Sequence, residues 1–202
     1  MNQKIGVISA IINVCAVASF ALCMLFGFTA GAYLSSMFIA FSFVPMICAF
    51  AERGEPETRA AGYTAIAFTG AYATLILLVY FTQLTTVRLE SLSEYARGLL
   101  DYQAFGLFFN LNLLGYSLMA LATFFAGLTI RAETKSDRAL KCLLLLHGIF
   151  AVTSLVIPML GVFRTMEGAD WVGTLVLLIW CAYFIPVGVL AFQYFKRADV
   201  EG

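Results

Sequence analysis

Residues 99–116 read "LLDYQAFGLFFNLNLLGY", and the reading of this stretch decides the fold. A polar, charged lead runs into a long apolar segment, yet Asn110 and Asn112 stand among Phe and Leu. An amide without a partner in hydrocarbon costs several kcal/mol, about 4–8 on a water-to-cyclohexane scale. The surrounding run, 103–130, exceeds the roughly 20 mostly apolar residues that a membrane-spanning helix needs. On a wheel of about 100° per residue, Asp101, Asn112, Tyr116 and Thr123 fall on one side. Gln103, Gly106, Asn110 and Ser117 fall nearly opposite. Lipid offers no hydrogen-bond partner, so the pattern predicts a fourth spanning helix enclosed by protein on both flanks.

Composition extends this reading to the whole chain. Its 202 residues are 62% hydrophobic and 12% charged, with a mean hydropathy of +0.92. Soluble domains are about 45–50% apolar and about 25% charged, so an ordinary soluble domain is excluded. Six apolar runs, at 5–28, 33–51, 60–83, 103–130, 140–163 and 170–195, predict an all-α polytopic membrane protein. It is expected to be a six-transmembrane-helix bundle forming a single integral membrane domain over 1–202. The first run is longer than the roughly 7–15 residues of a signal core and shows no A-x-A site, so it reads as a retained anchor.

Net charge is zero, which gives nucleic acid no electrostatic purchase. With the N-terminus inside, Lys4, Arg53, Arg59, Arg131, Lys135, Arg138, Lys141, Lys196 and Arg197 face the cytoplasm, and Arg88, Arg97 and Arg164 face out. This bias follows the positive-inside rule and predicts a multi-pass protein of the bacterial cytoplasmic (inner) membrane with both termini cytoplasmic. Membrane lipids are its expected partners, and Arg131, Lys135 and Arg138 read equally as contacts to anionic headgroups or as ordinary topology determinants. Between the third and fourth spans, Glu90, Glu94, Arg97 and Asp101 recur at helical spacing opposite Leu89, Leu92, Ala96 and Leu99. That pattern predicts a short amphipathic helix over 88–100 resting on the outer leaflet, with Glu94–Arg97 and Arg97–Asp101 as surface ion pairs. The five cysteines are isolated in apolar runs and there is one histidine, so no metal site and no cofactor is expected.

The amides read either as interhelical hydrogen-bond glue, tying helices together, or as part of a ligand pocket, and the candidate ligand-binding residues are those whose polar groups reach the outer half of the bundle. They are Tyr80 and Gln83 at the end of the third span, and Asn110, Asn112 and Tyr116 in the fourth. Arg164 ends the fifth, and Asp170 and Thr174 begin the sixth. In the fifth span, His147, Ala151, Ser154, Pro158 and Gly161 share a face of small residues that admits a close neighbour. His147 reads as a buried neutral ring with a bonded neighbour, or alternatively as a proton relay. The segments "VPMICAF" (44–50) and "IPMLGVF" (157–163) keep Pro, Met and Phe in register, a pattern that two inverted halves would give but that the frequency of proline in membrane helices also gives, and no other pair of spans aligns.

The run "LDYQAFGLFFNLNLLGYSLMALATFFAGLTI" with "HGIFAVTSLVIPMLGVF" resembles small uncharacterised six-span bacterial inner-membrane proteins, a group with no assigned activity. The resemblance implies location rather than mechanism. In size the chain also resembles the substrate-binding subunits of vitamin-uptake transporters, whose small-residue coupling face is loosely matched by Ser9, Ala16 and Cys23.

Three functions follow. The first is binding or transport of a small neutral or amphipathic ligand through the outer polar cluster. The second is an accessory or immunity-type subunit that binds a protein partner or a second copy of itself. The third is a lipid-modifying membrane enzyme. The third ranks last, because neither H-E-x-x-H nor G-x-S-x-G occurs and His147 and Asp101 fall on opposite sides of the membrane.

Overall fold

A computed structural model describes residues 1–162 and 170–197, the side chains of Asp170 and Trp171 excepted. Every regular element among them is helical. The elements are α1 (Asn2–Leu25), α2 (Thr29–Glu52), α3 (Arg59–Leu84), α4 (Glu94–Leu100), α5 (Leu107–Thr129), α6 (Lys135–His147), α7 (Ile149–Met159) and α8 (Asp170–Arg197). Counting α6 with α7, six helical spans among the described residues are long and apolar enough to cross a membrane.

The spans form a closed ring in chain order. Each of α1, α2, α3 and α5 packs on the next, α5 on both α6 and α7, α6 on α8, and α8 returns to α1. Short connections favour such sequential neighbours, and small or polar residues fit the seams. Asn13 Nδ2 donates to Ser42 Oγ at 3.0 Å and the Ser19 and Ser35 hydroxyls meet at 3.0 Å, joining α1 to α2. At the α1–α8 seam, Gly6 accommodates the Phe195 ring and Gly188 accommodates Val14. Phe43, Met46, Tyr72, Ile76, Met119 and Phe184 fill the centre.

One end of the ring carries the start of α1, the end of α8 and most of the charge among the described residues. Helix α8 would leave its last carbonyls unsatisfied, and neighbouring helices supply donors. Arg53 Nη1 donates to Tyr194 O at 2.8 Å while its guanidinium lies 4.3 Å from the Tyr194 ring centroid. Gln3 Nε2 donates to Phe195 O at 3.0 Å. Arg197 pairs with the buried Asp137 carboxylate, which also completes a capping box with Thr134 at the start of α6.

Three features differ from the sequence-based expectation. The fifth span begins at Lys135, because that box fixes its start, and it divides at Gly148. There, Gly148 N bonds Leu145 O and Ala151 N bonds Gly148 O, both at 3.1 Å, in the tighter i→i−3 pattern. A Cβ on Gly148 would meet Phe124 Cδ2 at 2.9 Å, so glycine lets α5 pack into the break. The interfacial helix is shorter than 88–100, because Ser93 caps α4 by accepting from Ala96 N at 3.3 Å. Finally, α5 is not enclosed on both flanks throughout. Asn112 and Ser117 are buried but Asn110, in the first turn, is exposed.

Candidate functional site

The segment between α3 and α5 folds over the ring end opposite the termini as a cap. Asp101 Oδ1 accepts from Gln103 N at 2.9 Å and starts a 3₁₀ turn, Tyr102–Ala104. The chain then reverses through Phe105, which adopts a left-handed φ of 51°, a conformation uncommon outside glycine. Gly106 follows, and a Cβ there would collide with the Gly98 carbonyl oxygen, leaving no room for a side chain. Gln83 pins the cap from beneath. Its Nε2 donates to Leu100 O at 2.7 Å and its Oε1 accepts from Tyr102 N at 2.9 Å.

Under the cap lies a cluster of phenols from four elements. Tyr33 of α2, Tyr80 of α3 and Tyr102 of the cap have ring centroids 5.4, 6.2 and 6.1 Å apart pairwise. Tyr80 and Tyr116, the latter on α5, share a hydroxyl contact of 3.3 Å. Burial pushes the Tyr102 phenol well above its ordinary range; Tyr80 and Tyr33 add to this, and the Asn112 amide beside it acts the other way. Asn112 itself is fully buried, yet neither its Oδ1 nor its Nδ2 makes a hydrogen bond of normal geometry. No charged side chain among the described residues is buried except Asp137, at the far end.

A second polar group lies deeper, beyond Tyr116, whose ring is 6.0 Å from that of Trp180. Trp180 Nε1 donates to His147 Nε2 at 3.0 Å. His147 Nδ1 meets Thr123 Oγ1 at 2.8 Å, and Thr123 Oγ1 donates to Ala120 O at 2.9 Å. Indole is a donor only, so Nε2 must present its lone pair and the hydrogen of the neutral ring sits on Nδ1. His147 therefore has a partner on each nitrogen. Ser117 Oγ closes the α5–α7 contact by donating to Ala151 O at 3.0 Å.

Of the residues singled out from sequence, Tyr80, Asn112 and Tyr116 come together. Gln83 borders them, but its amide is engaged by the cap backbone. Asn110 stands outside the cluster, and Thr174 is half-buried on α8. Arg164 and the side chain of Asp170 lie outside the described residues. Sequence reasoning missed Tyr33 and Tyr102, which nothing separates from the other tyrosines among nine. No group of three His, Cys, Asp or Glu gathers among the described residues. No protein-family model, no curated protein and no solved structure matches this chain.

Proposed function

We propose that this is a multi-pass protein of the bacterial inner membrane that binds or transports a small neutral or amphipathic ligand beside Asn112. On this reading, which includes the kinship to small six-span bacterial proteins, the basic termini end faces the cytoplasm and the cap faces out. The observation that carries it is the Asn112 carboxamide, fully buried, with neither polar atom in a hydrogen bond of normal geometry and only the Tyr102 phenol interacting with it. Such a group costs about 1–3 kcal/mol, and buried polar groups are otherwise nearly always paired. A ligand supplies what the protein leaves out. Tyr102, Tyr80 and Tyr116 give it apolar faces and hydroxyls, the usual make-up of a small-molecule site. Since Asn112 is sealed from solvent, admission requires the cap to lift from Gln83.

The test is Asn112→Leu in detergent-purified protein. Removing an unsatisfied amide raises the unfolding temperature of the ligand-free protein, and ligand-dependent stabilisation disappears. A purely structural Asn112 gives the opposite result, a lower unfolding temperature. A C-terminal reporter that is active only after export should stay silent; activity would reverse the orientation. Co-purification of a stoichiometric protein partner with no response to Asn112→Leu would favour the accessory-subunit reading.

A further inference from the structure

Taking Asn112 as the binding residue, we infer that the ligand is a flat, uncharged molecule whose edge carries a hydrogen-bond donor next to an acceptor, as in a cyclic amide or imide. The inference rests on three features of the cluster. First, the Asn112 side chain offers a donor, Nδ2, and an acceptor, Oδ1, in one plane, and neither makes a hydrogen bond of normal geometry, the Tyr102 phenol beside them being off the ideal position. The edge that satisfies both at once is another amide held cis, which forms a closed pair of parallel hydrogen bonds. A ligand with acceptors alone leaves Oδ1 orphaned, and one with donors alone leaves Nδ2 orphaned.

Second, no charged side chain is buried near Asn112 among the described residues. A charged ligand there would lose its hydration without gaining a counter-charge, which is prohibitive in a low-dielectric site. Asp101, at the start of the cap's 3₁₀ turn, is half-buried rather than buried, and its own Oδ1 is bound to Gln103 N. Third, the surroundings are rings. Tyr102 lies beside Asn112, with Phe109 centred 5.2 Å from it and Tyr80 6.1 Å. Aromatic side chains favour offset or edge contacts with another ring, so the body behind the amide edge is planar.

A site built around a polar pair rejects analogues that leave one member unpaired much more strongly than it rejects small changes of shape. The discriminating probes are 2-pyridone, which has the donor–acceptor edge, and N-methyl-2-pyridone, which keeps the ring and acceptor but lacks the donor. Binding is measured on the full chain in detergent by calorimetry and by thermal shift. The expected result is that 2-pyridone binds and N-methyl-2-pyridone binds at least about tenfold more weakly, the equivalent of one hydrogen bond to a buried group. Asn112→Leu should lose the 2-pyridone response. This comparison of probes runs on the unaltered protein, so it does not depend on a variant folding.

Equal binding of both probes, lost together in Asn112→Leu, would leave the site standing and overturn the ligand class. Binding of 2-pyridone that persists in Asn112→Leu would overturn both. If neither probe binds, the class is overturned, and the stability of ligand-free Asn112→Leu decides the site by itself.

Discussion

His147 Nε2 accepts from the Trp180 indole and its Nδ1 donates to Thr123, whose own hydrogen goes to Ala120 O. Every polar atom in that series is used. Asn112 is as deeply buried, yet neither of its polar atoms makes a hydrogen bond of normal geometry. This contrast distinguishes a polar residue that specifies packing from one held ready for something else. It yields a spectroscopic prediction: in ¹⁵N-labelled protein at neutral pH, Nδ1 of the single histidine resonates as a protonated, pyrrole-like nitrogen and Nε2 as an unprotonated one. The reverse assignment would break the series. Trp180→Phe strips the donor from Nε2 and should lower stability by about 1–3 kcal/mol, seen as a reduced unfolding temperature. Both polar residues were visible in the sequence as interruptions of apolar runs. Which of them had partners was not, because Thr123 and Trp180 stand 24 and 33 positions from His147 and only the packing of three helices unites them.

The cap shows how a local pattern yields to local competition. Charge spacing placed a helix over 88–100 with two ion pairs, but such pairs contribute only about 0.2–0.5 kcal/mol each. Ser93 capping and the turn at Asp101 claim the same residues. Arg97 Nη1 instead donates to Val87 O at 3.3 Å, and the Asp101 carboxylate takes Gln103 N. The stretch "SLSEYAR" has a serine at 91 and another at 93, and periodicity does not say which one starts the helix. What holds this element is its closure at Gly98 and Gly106. Gly106→Ala would drive a Cβ into the Gly98 carbonyl, which is backbone and has no rotamer to escape through. The expected outcome is faster amide hydrogen exchange across 94–104 with the middle of α5 unchanged. Undiminished protection of the cap would mean that Gln83 alone holds it.

The architecture of six spans was legible because hydropathy and span length vary little with tertiary detail, and neighbours in sequence became neighbours in space. Enclosure of α5 was legible only in part. Its two polar stripes implied cover on both flanks, and at Ser117 the cover exists in α7. About two turns nearer the cap, Asn110 is bare, since an amide close to the helix start needs water rather than protein. The twin proline motifs also behave differently. Pro45 lies inside an unbroken α2, Pro158 lies in the last turn of α7, and the real break is at Gly148. The closing of the ring between first and last helices left no mark that hydropathy could reveal, and it is the feature on which the overall shape depends. It can be tested directly. A Cβ built on Gly188 lies 3.8 Å from Val14 Cβ, within the roughly 3.5–4.5 Å that disulfides span. In a variant whose native cysteines are replaced, Val14→Cys with Gly188→Cys should form an intramolecular disulfide on mild oxidation in membranes, visible as a reducible mobility shift. Val14→Cys with Gly70→Cys should not, because nothing lies within 4 Å of a Cβ at Gly70. If the first pair fails to cross-link while the control behaves, α8 does not return to α1 and the ring is open.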